Sequence, residues 1–242
     1  MRFILNIAHR GASADHPENT LAAFGAAIEA GADMCELDVQ RTRDGVAVVI
    51  HDETLDRTTT GAGEVSDFTL EQIRSLYAPA KFRDRLVSER VPTLEEVFAL
   101  THGRCGLNIE IKCANVEDQI CSLIRKYDAH QTALVSSFEW DTLGNVRRID
   151  PAVRIGLLAE HQPDGLLKTA SEMNAYAINP RHDLATLSLC SDAHRAGLKV
   201  LVWTVDDPNT MRNLIATGVD GIMTNQPARL TSLMGHHGPN RG

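Results

Sequence analysis

The chain lacks the cysteine spacing of a disulfide framework or a zinc site. Its five cysteines, Cys35, Cys105, Cys113, Cys121 and Cys190, are odd in number, and no two stand as CxxC. Free thiols in a reducing compartment are therefore expected. A basic excess is missing too: 24 Lys and Arg against 32 Asp and Glu leave a formal charge of −8. That argues against a grip on nucleic acid, which needs a clustered basic surface. An anionic small molecule stays admissible, because a few local cations or a bound metal reverse the sign inside a cleft. Long hydrophobic runs are also wanting. The first apolar stretch, Phe3–Ala8, is too short for the core of a leader peptide and runs into His9-Arg10 rather than a cleavage site. Nothing approaches the ~20 apolar residues that cross a bilayer, so no stable membrane association is expected. No collagen-like or disordered composition is present either. Together these absences predict an unprocessed cytoplasmic chain.

What is there is an alternation. Short β-rich runs, Arg2–Ala8, Met34–Gln40, Gly106–Lys112, Ala133–Ser136, Val153–Leu158, Ala175–Ile178, Lys199–Val205 and Gly221–Thr224, are separated by amphipathic stretches. In the first stretch Leu21, Phe24 and Ile28 share a helical face, with Asn19 placed to cap the helix and Gly31 to stop it. Further helices are expected to start near Thr93, Val116, Glu139, Pro163, Leu184, Pro208 and Pro227. Eight strand–helix repeats in 242 residues fit a single closed (β/α)8 barrel over 1–242; the pattern alone also admits a doubly wound open sheet. One interval breaks the rhythm. After a turn at Asp44-Gly45 and a further strand, Val46–Ile50, residues 52–92 intervene before the next helix, with one weak helix at Leu70–Leu76. So long a connection predicts a small cap beside the active face.

The chemistry lies on the strands. Side chains two apart on a strand point the same way, so Glu36 and Asp38 share one face while Leu37 takes the other. Likewise Asn108, Glu110 and Lys112 share a face, and Ile109 and Ile111 oppose them. Since the apolar residues suit the helix layer, the charged ones point into the barrel. Three carboxylates in a partly desolvated interior repel one another and shed charge unless something positive joins them. Lys112 supplies one positive charge, and one divalent cation supplies the rest. All-oxygen ligands favour Mg²⁺, Ca²⁺ or Mn²⁺ over zinc; the alternative is a buried ion-pair network without metal. His9 and His51 each follow an apolar strand. A single histidine at a strand end is commonly structural, but two beside an inward acidic cluster, at the face where barrels build active sites, suit acid–base work. Arg10 is suited to a bidentate grip on phosphate. The other eight histidines, ten less these two, carry no assigned role, and His236-His237 lie in a Gly/Pro-rich tail.

These residues resemble a known signature. His9-Arg10-Gly11 with Pro17-Glu18-Asn19-Thr20 is similar to the opening of the glycerophosphodiester phosphodiesterase family. Glu36-Leu37-Asp38, Thr42 with Asp44-Gly45, His51-Asp52 and Leu55-Asp56-Arg57-Thr58 follow in order. So do Val91–Glu96, Asn108–Lys112, Ser137-Phe138, Val202-Trp203-Thr204 and Asp220–Pro227. The match is collinear over nearly the whole chain. It implies a (β/α)8 barrel with a small insertion after the second strand, and hydrolysis of a small-molecule glycerophosphodiester to sn-glycerol 3-phosphate and an alcohol. It further implies His9 and His51 as the acid–base pair, Glu36, Asp38 and Glu110 as metal ligands, Arg10 and Lys112 as phosphate-binding groups, and Trp203 as the aromatic wall of the pocket.

By this reading His9 is the base and His51 the acid, and the attacking oxygen is either water or the substrate's neighbouring glycerol hydroxyl. Three positions depart from the family pattern. Thr60 and Asp206 stand where Asn is frequent, and Asn225 stands where Asp is commoner; the expected consequence is for pocket shape and alcohol preference. Two rivals remain. A relative acting on lysophospholipids or sphingomyelin would favour a secreted chain, and a non-catalytic phosphate-binding barrel would have lost one of the five central residues.

Overall fold

The computed structural model describes residues 4–78, 81–82, 85–86, 89–161 and 165–235. Arg2 and Phe3 of the first expected strand, the helix start at Pro163, part of the insertion and the His236-His237 pair lie outside the described residues.

Eight parallel strands close on themselves. They are β1 (Leu5–His9), β2 (Met34–Arg41), β6 (Gly106–Ile111), β7 (Ala133–Ser137), β8 (Arg154–Ala159), β9 (Ala177–Pro180), β10 (Lys199–Val202) and β11 (Gly221–Thr224). Between the second and third of them lie β3 (Ala47–Val49) and the two-residue pair β4 (Lys81–Phe82) and β5 (Arg85–Leu86). The order runs β1-β11-β10-β9-β8-β7-β6-β2, and β1 also pairs with β2, which closes the barrel. The open-sheet alternative is thereby excluded. Each barrel strand leads to a helix: α1 (Leu21–Glu29), α3 (Leu94–Thr101), α4 (Glu117–Lys126), α5 (Trp140–Ile149), α6 (Leu166–Glu172), α7 (Leu187–Arg195), α8 (Pro208–Thr217) and α9 (Pro227–Leu233), with α2 (Leu70–Arg74) inside the insertion.

Local chemistry sets the helix limits. Thr20, not Asn19, caps α1: its Oγ1 accepts from the Ala23 amide. Asn19 adopts φ +58 instead, a conformation Asn tolerates better than most residues, and its side chain is committed elsewhere. Thr93 and Glu96 form a reciprocal capping box on α3. Pro208 opens α8 behind the Asp207 cap, and Gly218 at φ +97 ends it. Expected strand limits shift, most at two strands: β9 runs Ala177–Pro180 rather than Ala175–Ile178, and β10 ends at Val202 rather than Val205.

The alternation along the strands separates two interiors. Leu37, Val39, Ile109, Ile111 and Val135 join the core between barrel and helices, with Phe24 and Val97 opposite them. Ile7, Leu134, Ala177, Leu201 and Met223 plug the barrel's lower interior. A buried Phe24 alone contributes roughly 2–3 kcal/mol by leaving water. β3 runs antiparallel to β2, with Val39 opposite Val49, and the insertion packs on its own small apolar cluster of Val48, Ile50, Leu55, Val65, Ile73 and Val91.

Candidate active site

The C-terminal ends of the first three barrel strands, with the segment after β3, bring Glu36, Asp38, Glu110, His9, Arg10, His51 and Lys112 close together. Glu36, Asp38 and Glu110 offer carboxylate oxygens that all lie within 4.8 Å of one another. Their positions follow from register: Asp38 stands opposite Glu110 in the β2–β6 pairing, and His9 stands opposite Glu36 in the β1–β2 pairing. Glu36 and Asp38 are buried, at 2% and 1% exposure. Burial, reinforced by Asp38 and Glu110, pushes the Glu36 carboxyl well above the usual range, and burial with Asp38 also raises Glu110. Glu36 Oε1 and Asp38 Oδ1 find no protein partner. Repelling carboxylates with unpaired inner oxygens are the donor set of a hard divalent cation, so the residues fit the ion their sequence pattern implies.

The cations present answer only the outer side of this cluster. The Arg10 amide donates to Glu36 Oε2 at 3.0 Å, and its Nε lies 3.2 Å from Asp38 Oδ2 as an ion pair. Arg10 adopts φ +56 and Gly11 φ +82. A Cβ at Gly11 would stand 2.6 Å from the Ala23 carbonyl carbon, so the turn that aims Arg10 depends on glycine there. Burial works against the guanidinium charge, yet Asp38, Glu36 and Glu18 outweigh it and raise the Arg10 pKa. Lys112 Nζ donates to Glu110 Oε1 at 2.8 Å and lies 3.4 Å from His51 Nε2.

The two histidines are held differently. His9 Nδ1 lies 2.8 Å from Asn225 Oδ1. The Asn225 amide is itself oriented, since its Nδ2 donates to Asp206 at 2.7 Å while Ser13 Oγ donates to its oxygen. His9 therefore donates through Nδ1 and turns Nε2 toward Glu36, 3.9 Å away. Burial, then Arg10, lowers its pKa, with Asn225 and the carboxylates partly opposing. His51 instead pairs Nδ1 with the Asp52 carboxylate at 2.7 Å. Asp52 is fixed by Arg57, which donates to it at 2.7 and 2.8 Å and to Glu18 at 2.8 and 3.0 Å. Glu18 in turn accepts from Arg10 at 2.8 Å. A chain of charge thus runs His51–Asp52–Arg57–Glu18–Arg10–Asp38 across the insertion.

Several of these residues escaped the sequence reading. Asn19 was expected to cap a helix, but its Nδ2 donates to Asp38 Oδ2 at 2.9 Å. Glu18, Asp52 and Arg57 appeared only as motif letters. Asn225 stood out as a departure from the family pattern, which was the available signal, and it proves to be the partner of His9. Trp203 donates its indole N–H to the Asn179 carbonyl at 2.7 Å and meets Phe138 edge-on, centroids 5.5 Å apart. Phe138 is exposed at 40%. None of the described helices is long and apolar enough to cross a membrane.

Known proteins share this arrangement of chain. The model of the Glycerophosphoryl diester phosphodiesterase family matches residues 9–229. A glycerophosphodiester phosphodiesterase of Caldanaerobacter subterraneus is 44% identical over 239 residues, covering 95% of this chain and 97% of its own. One from Bacillus altitudinis is 34% identical over 236 residues, covering 93% and 96%. Among solved structures, a glycerophosphodiester phosphodiesterase from Agrobacterium tumefaciens superposes with a TM-score of 0.86 at 31% identity, over 96% of this chain and 100% of that one. An Oleispira antarctica phosphodiesterase in complex with the product sn-glycerol-3-phosphate superposes with a TM-score of 0.84 at 27% identity, over 95% and 96%.

Proposed function

The chain belongs to the glycerophosphoryl diester phosphodiesterase family and is a glycerophosphodiester phosphodiesterase; on that premise we propose a metal-dependent hydrolysis with two histidines moving the protons. The products are sn-glycerol 3-phosphate and an alcohol. The observation that carries the proposal is the mutual approach of Glu36, Asp38 and Glu110 within 4.8 Å, with unpaired inner oxygens, at the barrel end that also bears His9 and His51. We assign the cation to these three carboxylates. When bound, it neutralises the phosphodiester's charge and makes attack at phosphorus feasible.

The chain's own residues supply the rest. Arg10 and Lys112 hold phosphate oxygens, each already charged and anchored to a carboxylate. His9, kept neutral by burial and Arg10, is suited to take the proton of the attacking oxygen at Nε2. As the phosphorus–oxygen bond to the alcohol breaks, His51 gives a proton from Nε2 to the leaving oxygen. Asp52 behind Nδ1 fixes the ring so that Nε2 faces the site. Lys112 sits beside that Nε2 and pairs with Glu110, so a phosphate oxygen arriving at Lys112 relieves the competition between two cations. Trp203 and Phe138 line the apolar side of the opening.

We further propose that residues 1–242 form one barrel domain, with 52–92 as a cap within it, and that the enzyme works in the cytoplasm, where its five cysteines, none of them in a disulfide, stay reduced. The alcohol is identified by turnover of glycerophosphocholine, -ethanolamine, -glycerol and -inositol. Release of glycerol 3-phosphate supports the proposal; release of glycerol with the head-group phosphate, such as phosphocholine, would put the broken bond on the other side of phosphorus and contradict it.

A further inference from the structure

Beside the carboxylates the barrel carries polar side chains that the proposed chemistry does not use. Asn108 stands beside Glu36 in the β2–β6 register, Ser136 beside Glu110 in the β6–β7 register, and Gly156 beside Ser136 in the β7–β8 register. The Asn179 side chain lies over Gly156, where an added Cβ would stand 2.9 Å from its Oδ1. Asn108, Ser136 and Asn179 are sealed from solvent, at 1%, 0% and 0% exposure. Yet Asn108 Oδ1, Ser136 Oγ and both polar atoms of the Asn179 amide have no protein partner. The Asn108 nitrogen faces only the Met223 sulfur at 3.9 Å, a weak acceptor, which leaves the oxygen as the end free to bind. The apolar plug of Ile7, Leu134, Ala177, Leu201 and Met223 occupies the barrel interior. Unpaired polar atoms of Asn108 and Ser136 thus stand on positions paired with Glu36 and Glu110, and Glu36 and Asp38 have unpaired oxygens of their own.

Buried polar groups are almost always paired, and where protein supplies no partner an ordered water does. The belt's composition suits water. Asn108 Oδ1 accepts, Ser136 Oγ accepts or donates, and the Asn179 amide does both. The missing side chain at Gly156 makes room for the Asn179 amide. A water held by these side chains would offer its oxygen to a cation on Glu36, Asp38 and Glu110. Hard divalent cations keep such waters, Mg²⁺ most of all.

Resting on the proposed metal site, we infer that Asn108, Ser136 and Asn179 hold ordered water that completes the inner side of the cation's oxygen shell. They are positioning residues for the ion, acting through water rather than touching substrate. Outer partners of this kind set metal affinity by about 10- to 100-fold.

The test is calorimetric titration of Mg²⁺ and Mn²⁺ into the chelated full chain and its Asn108→Ala and Ser136→Ala variants, beside thermal melts with and without the ion. Each variant is expected to bind the ion about 10- to 100-fold more weakly. Its metal-free melting temperature should change little beside the loss of affinity, since the deleted group gives up water rather than a strong protein hydrogen bond. Wild-type affinity in both variants overturns the inference while leaving the proposed function intact, and so does a metal-free loss of stability with unchanged affinity. A wild-type chain that binds no ion removes both. Should a variant fail to fold, a high-resolution crystal structure of the wild-type chain with Mn²⁺ decides the matter. Water within hydrogen-bonding distance of the ion's ligand shell and of Asn108 Oδ1 or Ser136 Oγ upholds the inference, and a dry belt overturns it.

Discussion

His51 presents Nδ1 to the Asp52 carboxylate at 2.7 Å, and Arg57 grips the same carboxylate through two nitrogens. The pair fixes which ring nitrogen faces the site and supplies negative charge behind it. A hydrogen bond from Arg57, and then one from His51, holds Asp52 below the usual carboxylate range against its burial. Asp52 therefore stays charged wherever the enzyme works.

Asp52→Asn keeps the shape but removes that charge. General acid assistance is worth about 10²–10⁴-fold in full, and the partner contributes a share of it. The variant is expected to lose about 10- to 100-fold in kcat with metal affinity unchanged. Steady-state kinetics beside a metal titration checks this, and an unchanged kcat would show that His51 needs no charged partner.

His9 is held by a neutral amide, so its tendency to protonate is set by burial and Arg10. Asn225→Asp places a carboxylate against Nδ1, which favours the imidazolium. The pH at which His9 loses its proton should rise. If His9 is the base, the acid limb of kcat/KM moves to higher pH in the variant. A limb that stays put, with the fold and metal binding intact, removes His9 from that role.

The two roles separate by leaving group. His9→Ala and His51→Ala should each lower kcat on a glycerophosphodiester by at least about 10²-fold, with the double variant scarcely worse than the poorer single one, because residues acting as a unit are not additive. A nitrophenyl phosphodiester leaves without needing a proton. His51→Ala is expected to keep substantial activity on it and His9→Ala to lose it; the reverse pattern would exchange the assignments.

Glu18 ties the charge chain together. Burial alone would raise its pKa, but hydrogen bonds from Arg57 and the charge of Arg10 bring it down to about 2, from an ordinary 4.5. A carboxylate depressed in the folded state stabilises the fold above its unfolded pKa and loses that stability as the pH falls toward the folded value. Thermal stability should therefore decline between pH 4.5 and 2. Glu18→Gln should be less stable at pH 7 by about 1–2 kcal/mol, after discounting for solvent screening, and should decline less steeply. Parallel curves for both proteins would refute the linkage.

Much of this site was legible because strand alternation is local. Glu36-Leu37-Asp38 and Asn108–Lys112 declare their faces from spacing alone, and the apolar partners Leu37, Ile109 and Ile111 point to the helix layer as the pattern requires. Contacts that bridge distant segments were not legible. His9 and Asn225 are 216 positions apart and meet only because β1 closes on β11. Arg57 reaches Glu18 across 39 positions through an insertion with no periodic pattern. Asn19 looked like a helix cap because Asn favours that place, and the neighbouring Thr20 took the cap once the Asn19 amide had gone to Asp38.

The central claim is that the three carboxylates hold a cation without which the diester is not cleaved. It is tested most directly by glycerol 3-phosphate release from a glycerophosphodiester after exhaustive chelation, then with Mg²⁺, Ca²⁺ or Mn²⁺ returned, for the wild-type chain and for Glu36→Gln, Asp38→Asn and Glu110→Gln. The account predicts no release from the chelated wild type, recovery on addition of an ion, and weakened recovery in each folded variant. Full release from the chelated wild-type chain would contradict it.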